Sequence, residues 1–313
     1  MNASLKEVTE LLVSRDQILI LTHKNPDGDT LGSAAALCSC LRRAGKQAFL
    51  FPNPQITEKY TPFLSAYLAG ADFVPNYVIA VDTATPELFS DGFGGHVDLC
   101  IDHHPTNSHY AEKELIWPER AACGEIILRI IEKLHGELTK EEADLLYIAV
   151  STDTGCFQYA NTNEATFSSA ARLLKYGASN EELNLVFFRK VSRARLMLEG
   201  RIYSSMSFHR EGKIVVATVT RSMIKECNAT EDDCDDLAAL PGRIEEAVVG
   251  ITIREMEDGT SKISVRTSKE VSAIRICEAF GGGGHQQAAG CRIGANHERA
   301  KELLLAVVDE VYK

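Results

Sequence analysis

Short apolar runs alternate with amphipathic segments along the first 190 residues of the chain. The predicted strands are Gln17 to Thr22, Gln47 to Phe51, and two that end at Val81 and Ile101. The predicted helices are Thr30 to Ala44, Ala121 to Leu134, Lys140 to Ser151 and Asn163 to Tyr176. Because strands and helices alternate, this region is expected to be an α/β domain with a mostly parallel sheet covered by helices on both faces.

Polar residues at the predicted helix ends support these boundaries. Thr139 is followed three residues later by Glu142, a pattern that predicts a capping box at the start of a helix. Gly45 follows the first predicted helix and is expected to end it. Either Thr30 or Ser33 is expected to cap the start of that first helix.

The pattern changes after residue 190. A charged helix is predicted from Ser192 to Tyr203, and strands are predicted at Lys213 to Thr220, Glu246 to Arg254 and Ser261 to Arg266. A glycine run at 281–284 and a last helix near Glu298 to Val311 follow. We therefore predict a first domain over 1–190, a helical linker over 191–204 and a smaller α+β domain over 205–313, with a site in the cleft between the domains.

Length and cysteine spacing indicate the broad class of the protein. At 313 residues the chain is longer than one hydrophobic core usually serves. No stretch reaches the roughly 18 to 20 consecutive apolar residues of a membrane span, so no membrane association is expected. The nine cysteines form no C-x-x-C pair, which is typical of reduced thiols and indicates a cytoplasmic enzyme.

The net charge of −11 restricts the class of partner. Proteins that bind long nucleic acid usually carry a basic stripe, because neutralising phosphates provides most of the affinity. This sequence has no such stripe, so long duplex nucleic acid is not an expected partner. Any nucleic-acid substrate is expected to be short.

Acidic and histidine residues stand where apolar strands and helices are predicted to end. They are His23, Asp27 and Asp29, then Asp82, then Asp102, His103 and His104, and last Asp153. Because the carboxyl ends of parallel strands form the ligand crevice of an open α/β sheet, these residues are expected to converge. Carboxylates with a few imidazoles suit one divalent metal ion or a close pair. This pattern predicts metal-assisted attack on a phosphate group.

Each of these features alone has an ordinary structural explanation. The segment P-D-G-D at 26–29 is good turn chemistry, Asp82 can cap a strand, and Asp153 can end a helix. Three adjacent polar residues at 102–104 after a buried strand are harder to explain without a ligand. The run Gly281 to His285 is either a flexible hinge or a phosphate-binding loop, and we favour phosphate binding.

Taken together, the motifs resemble the DHH/DHHA1 phosphoesterase family. They are H-K-N-P-D-G-D-T-L-G-S from His23, V-D-T around Asp82, D-H-H at 102–104, S-T-D-T-G at 151–155, and S-V-R-T-S with F-G-G-G-G-H-Q-Q-A-A-G near the C-terminus. The resemblance extends from about residue 15 to residue 293. Within the family, the chain is most similar to bifunctional oligoribonucleases and pAp phosphatases, and to the related phosphodiesterases that cleave pApA or cyclic di-AMP.

The resemblance implies a role for each matching residue. It implies that His23, Asp27 and Asp82 bind one metal ion, and that Asp29, Asp82, His103 and Asp153 bind a second. The metal implied is manganese, with magnesium or cobalt as substitutes. His104 matches the histidine that faces the scissile phosphate, and Asp102 is expected to orient a histidine. Arg266, Gly283, Gly284 and His285 match the substrate-phosphate site of the C-terminal domain; Thr267 separates Arg266 from Ser268 where the family usually has R-S.

The activity implied is two-metal hydroxide attack on short oligoribonucleotides, on pApA and on pAp. The alternatives are a cyclic di-AMP phosphodiesterase and a non-catalytic nucleotide sensor. A pyrophosphatase is disfavoured by the glycine-histidine motif, and a processive exonuclease is disfavoured by the length and the charge. A homodimer is compatible with the sequence.

Overall fold

The computed structural model describes residues 2–234 and 237–312. The chain divides into two compact units, Met1–Lys190 and Val191–Lys313. Among the described residues, no helix combines the length and the apolar character needed to cross a membrane.

The first unit is built on a parallel sheet. Its strands are β1 (Ile18–Leu21), β2 (Ala48–Leu50), β3 (Tyr77–Val81), β4 (Leu99–Asp102) and β5 (Lys113–Ile116). In the described part of the chain they lie in the order β2-β1-β3-β4-β5, and each neighbouring pair is parallel. All residues of β1 and β4 are buried, and all except Asp102 at the end of β4 are apolar, as expected for strands covered on both faces.

Helices cover this sheet. They are α1 (Leu5–Ser14), α2 (Gly28–Arg43), α3 (Thr61–Leu64), α4 (Cys123–His135), α5 (Lys140–Asp153), α6 (Glu164–Lys175) and α7 (Asn180–Asn184), followed by a π-helical turn at Leu185–Arg189. Helices α2, α4 and α5 contribute to one large core with β1, β3 and β4. The predicted α/β fold class is confirmed.

Two helix boundaries test the sequence predictions directly. The predicted capping box is present at α5, where Thr139 and Glu142 bond to each other's backbone N–H groups. The prediction that Thr30 or Ser33 caps α2 is wrong, because the N-cap is Asp27. The Asp27 carboxylate accepts from the N–H groups of Asp29 and Thr30, so the helix starts two residues earlier than predicted.

The second unit contains a mixed sheet and four α-helices in its described residues. Its strands are β6 (Ser207–His209), β7 (Ile214–Val219), β8 (Val249–Glu255), β9 (Ser261–Thr267), β10 (Gly283–His285) and β11 (Ala288–Ile293), in the order β10-β11-β9-β8-β7-β6. Its helices are α8 (Arg193–Ser205), α9 (Arg221–Glu226), α10 (Ala273–Glu278) and α11 (His297–Val311). This second sheet, with its helices, is the α+β arrangement predicted for the C-terminal region.

Two details of the second unit add to what the sequence predicted. The end of the glycine run is a strand, because Gly283–His285 pairs with β11 in an antiparallel ladder. Helix α8, which covers most of the predicted linker, packs within the second unit. Its Leu198 and Ile202 side chains are buried beside Ala217 and Val219 of β7.

Candidate active site

The parallel sheet places three of the candidate residues at one edge. His23 follows β1 by two residues, Asp82 follows β3 directly, and Asp102 is the last residue of β4. Because β1, β3 and β4 are adjacent and parallel, their carboxyl ends lie side by side. The strand register therefore brings together residues that are up to 79 positions apart.

Helices α2 and α5 bring two more carboxylates to the same edge. Asp29 lies in the first turn of α2, and Asp153 is the last residue of α5. The two helices touch at glycines: a Cβ atom on Gly32 would lie 2.3 Å from Leu145 O, and one on Gly28 would lie 2.3 Å from Thr152 Oγ1. Only glycine at these two positions lets the helices approach so closely.

The acids and histidines form two groups that share Asp82. In the first ligand group, His23 Nε2 lies 3.6 Å from Asp27 Oδ1 and 3.8 Å from Asp82 Oδ2. In the second ligand group, His103 Nε2 lies 3.6 Å from Asp29 Oδ2, 3.4 Å from Asp82 Oδ1 and 3.8 Å from Asp153 Oδ2. The two carboxylate oxygens of Asp82 therefore face different groups.

Asp82 is unusual in both its backbone and its side chain. Its φ of 56° lies in the left-handed region, which costs a non-glycine residue on the order of 1 kcal/mol. Its Oδ1 atom is buried and accepts no hydrogen bond of ordinary geometry from the described residues. A buried carboxylate oxygen is costly without a donor or a cation. This oxygen is therefore well placed to bind a metal ion.

Backbone carbonyls orient the two histidines of the ligand groups. His103 Nδ1 lies 3.0 Å from Arg120 O, and His23 Nδ1 lies 2.8 Å from Lys24 O. A carbonyl oxygen can only accept, so each Nδ1 carries the proton and donates it. In the neutral imidazole, the Nε2 lone pair then points toward the carboxylates, as a metal ligand requires.

His104 belongs to a separate hydrogen-bonded chain. Its Nδ1 lies 2.8 Å from Asp102 Oδ1. The same oxygen also accepts from the backbone N–H groups of His103 and His104. The other oxygen, Asp102 Oδ2, accepts from Asn107 Nδ2 at 2.6 Å. Asp102 is fully buried, whereas the His104 side chain is 23% exposed. This chain fixes the His104 ring while leaving part of it accessible.

The start of α4 supports the Asp29 carboxylate. Asp29 Oδ2 accepts from Cys123 N at 2.7 Å, and Oδ1 accepts from Gly124 N at 2.9 Å and from Ser33 Oγ at 3.0 Å. The N-terminal end of a helix favours a negative charge. These contacts fix the direction in which Asp29 faces His103.

Crowding of like charges shifts the pKa values at this site. Burial and the nearby Asp82 carboxylate raise the pKa of Asp29. Burial, together with Asp27 and Asp82, raises the pKa of Asp153 to about 6. Burial opposes the charged form of His23, but hydrogen bonding to Asp27 raises its pKa to about 9. The excess negative charge therefore attracts protons, and a cation at the same place would compete with them.

The donor set fits hard or borderline divalent metal ions. Carboxylate oxygens and imidazole nitrogens predominate in both ligand groups, and neither contains a thiolate. In the first group, one ligand atom from each of His23, Asp27 and Asp82 lies within 4.8 Å of the other two. The same holds in the second group for Asp29, Asp82 and His103. The Asp82 oxygen without a donor supports the same interpretation.

The candidate phosphate-binding residues share one face of the second sheet. His285 of β10 is paired with Ala288 of β11, and Ala288 is paired with Arg266 of β9. Residues paired across neighbouring strands point to the same side of a sheet, so the His285 and Arg266 side chains project from one face. Gly284 has a φ of 139°, and a Cβ atom there would lie 2.6 Å from Ala288 O, so the position requires glycine.

Sequence reasoning missed several supporting residues. Asn107 bonds Asp102, Asn161 donates to Asp153, and the Arg120 carbonyl bonds His103. Asn107 stands five residues after Asp102, close enough that the sequence could have suggested it. No residue pattern identifies a backbone carbonyl as a histidine partner, because any residue supplies one.

Comparisons with known proteins agree with this architecture. The family model described as the DHH family, N-terminal domain, matches residues 17–150, and the DHHA1 domain model matches residues 211–313. A Thermus thermophilus protein named bifunctional oligoribonuclease and PAP phosphatase NrnA is 34% identical to the chain, over 94% of the chain and 89% of that protein. A Bacillus subtilis protein with the same name is 29% identical, over 89% of the chain and 90% of that protein.

A solved structure confirms the fold over nearly the whole length. The exopolyphosphatase-related protein of Bacteroides fragilis superposes with a TM-score of 0.85 at 21% sequence identity, over 98% of this chain and 95% of that one. The chain thus belongs to the DHH family, and its second unit carries the DHHA1 domain.

Proposed function

We propose that the protein is a manganese-dependent phosphoesterase that hydrolyses short oligoribonucleotides and dinucleotides such as pApA to mononucleotides, and pAp to AMP. The observation that carries this proposal is the position of Asp82, whose two oxygens face two separate ligand groups. The names of the T. thermophilus and B. subtilis relatives support the substrate class.

Each ligand group is proposed to bind one metal ion. His23, Asp27 and Asp82 would bind the first, and Asp29, Asp82, His103 and Asp153 the second. Bound metal ions would supply a hydroxide at neutral pH and neutralise charge on the phosphate. His103 is oriented for this role by the hydrogen bond that it donates to Arg120 O, and Asp29 by the hydrogen bond that it accepts from Cys123 N at the start of α4.

The remaining residues are proposed to position the substrate. His104, held by Asp102, would donate a hydrogen bond to a phosphoryl oxygen and stabilise the charge that develops there. Arg266 and His285, with the backbone N–H groups of Gly283 and Gly284, would bind a second phosphate group of the substrate. The protein would then act in the cytoplasm on small substrates, consistent with its net charge of −11.

A panel of substrates tests the proposal. Turnover of pAp, pApA, cyclic di-AMP, a five-nucleotide RNA and pyrophosphate is measured on the metal-free protein, with and without added Mn²⁺, Mg²⁺ or Co²⁺. We expect Mn²⁺-dependent hydrolysis of pAp, pApA and the RNA. Cleavage of cyclic di-AMP alone would favour the cyclic-dinucleotide alternative. Cleavage of pyrophosphate alone would contradict the substrate class, and binding without turnover would indicate a sensor.

A further inference from the structure

The peptide bond between Arg120 and Ala121 is bonded at both of its polar atoms. Its carbonyl oxygen accepts from His103 Nδ1 at 3.0 Å, and its N–H donates to Glu125 Oε1 at 3.2 Å. A trans peptide is planar, so its C=O and N–H groups point in opposite directions. Fixing the N–H with Glu125 therefore also fixes the carbonyl in the direction of His103.

Glu125 is a buried carboxylate with donors on both oxygens. It lies in the first turn of α4 and is 1% exposed. Besides Ala121 N, it accepts from Thr166 Oγ1 at 3.0 Å, from Ser169 Oγ at 3.3 Å and from Arg120 Nη1 at 3.4 Å. Burying a carboxylate is costly, and these donors offset the cost while anchoring Glu125 to α6. Glu125 lies outside both ligand groups, so the proposed chemistry does not use it directly.

The same loop also supports Asp153. Ala121 O accepts from Asn161 Nδ2 at 3.1 Å. That amide group lies 3.1 Å from Asp153 O and 3.4 Å from Asp153 Oδ2 as well. Two members of the second ligand group, His103 and Asp153, are thus connected to the backbone that Glu125 holds.

We propose that Glu125 is a positioning residue for the second ligand group. It fixes the Arg120–Ala121 peptide, whose carbonyl orients His103. The carbonyl of Ala121, in the next peptide, accepts from Asn161, which contacts Asp153. The arrangement extends the usual carboxylate–histidine–metal chain by one peptide group. This inference rests on the proposed function, because it requires that the second ligand group binds a metal ion.

Calorimetric titration of Mn²⁺ into the metal-free full-length protein tests the inference. Glu125→Met keeps the side-chain volume but removes the acceptor, whereas Glu125→Gln keeps an oxygen that can accept from Ala121 N–H. We expect Glu125→Met to raise the Kd of one of the two Mn²⁺ ions by about tenfold or more and to leave the Kd of the other unchanged. Glu125→Gln is expected to stay close to wild type. A role in packing alone would affect both variants alike.

Glu142 offers a matched control. It is also a buried glutamate of the first unit, pairs with Arg43 at 2.9 Å and caps α5, but it bonds no member of either ligand group. Glu142→Met should lower the melting temperature, followed by circular dichroism, without changing either Mn²⁺ affinity. This separates loss of stability from loss of ligand orientation.

The outcomes distinguish this inference from the proposed function. If the wild-type protein binds no Mn²⁺, the proposed function itself fails. The positioning role is wrong if the wild-type protein binds two ions and Glu125→Met binds both with wild-type affinity. It is also wrong if Glu125→Met loses affinity for both ions equally. If Glu125→Met does not fold, Glu125→Asp replaces it, since its carboxylate is one methylene too short to reach Ala121 N–H. Unchanged Mn²⁺ binding by Glu125→Asp would then overturn the inference.

Discussion

Asp82 has a costly conformation that its position in the site explains. A left-handed backbone and a buried oxygen without a hydrogen-bond donor are both unfavourable for a carboxylate. The left-handed turn directs the side chain between His23 and His103, so that one oxygen faces each ligand group. Such costs are typical of residues retained for function at the expense of stability.

Asp82→Asn provides a residue-scale prediction. Asparagine tolerates the left-handed backbone and keeps the side-chain shape, but its amide nitrogen cannot bind a metal ion. Because one carboxylate serves both ligand groups, we expect kcat for pAp and pApA to fall by about 100-fold or more, beyond the effect typical of groups that only orient ligands. Turnover with saturating Mn²⁺ measures the loss.

The exposed residue Asp91 supplies the control for this variant. Asp91→Asn makes the same chemical change at an aspartate outside both ligand groups and should leave turnover unchanged. Near wild-type activity of Asp82→Asn would contradict the shared-ligand assignment.

At the scale of elements, helices and strands with a strong hydrophobic periodicity were predicted from the sequence. Strands that form only because they pair with a neighbouring strand were missed. Helix α5 was predicted from its apolar face and its Thr139–Glu142 capping box. Strand β5 was missed, because the K-E-L-I sequence at 113–116 is short and half charged. Strand β10 was missed because a glycine run has little β propensity and is a strand only through pairing with β11.

The same distinction holds for the candidate site. The acids and histidines follow strand and helix ends, so the fold alone brings them together. The Asp27 cap, the Arg120 carbonyl and Asn161 depend on the exact course of loops, which residue patterns do not encode. The acids and histidines of the candidate site were therefore more predictable than the groups that orient them.

The contact between α2 and α5 gives a prediction at this scale. In Gly32→Ala, the added Cβ would lie 2.3 Å from Leu145 O, so the helices must separate. We expect a loss of roughly 1–3 kcal/mol in the free energy of unfolding. Activity should fall as well, because Asp29 and Asp153 lie on these two helices. Denaturant unfolding and turnover are measured together.

Gly200→Ala is the control for this substitution. Gly200 is an exposed helical glycine of α8 with nothing within 4 Å of an added Cβ. Alanine there should be neutral or stabilise by up to about 1 kcal/mol. Equal stability of Gly32→Ala and wild type would show that the helices are not in tight contact.

The start of α8 depends on another carboxylate. Asp233 accepts from Ser192 Oγ and from Thr230 N at 2.9 Å, while its backbone carbonyl accepts from Arg195 Nη1 at 2.8 Å. Burial opposes the charge, but the hydrogen bonds from Ser192 and Thr230 lower the pKa of Asp233. Because folding lowers this pKa, the charged carboxylate stabilises the protein at pH values above the unfolded-state pKa near 3.9. That stability is lost as the pH falls through the folded-state pKa.

Asp233→Asn should therefore destabilise the protein at pH 7 by roughly 1–3 kcal/mol. Its unfolding free energy should also fall less than that of wild type between about pH 5 and pH 2. Denaturant unfolding across this range measures both effects. A variant with the same acid sensitivity as wild type would show that Asp233 is not charged in the folded state.

For the whole molecule, metal binding should couple to stability. All members of the two ligand groups lie in the first unit, and metal ions would relieve the repulsion among their carboxylates. At a free Mn²⁺ concentration of 100 times Kd, binding to the folded protein alone adds about 2.7 kcal/mol, which corresponds to a rise of roughly 5–10 °C in Tm. Scanning calorimetry with Mn²⁺ and then with a chelator should show the rise and its reversal.

Asp82→Asn is the control for this experiment. Without metal it should melt at or above the wild-type temperature, because it removes a crowded buried charge, and its Tm should respond little to Mn²⁺. A full Mn²⁺ shift in that variant would place the metal ions elsewhere in the chain.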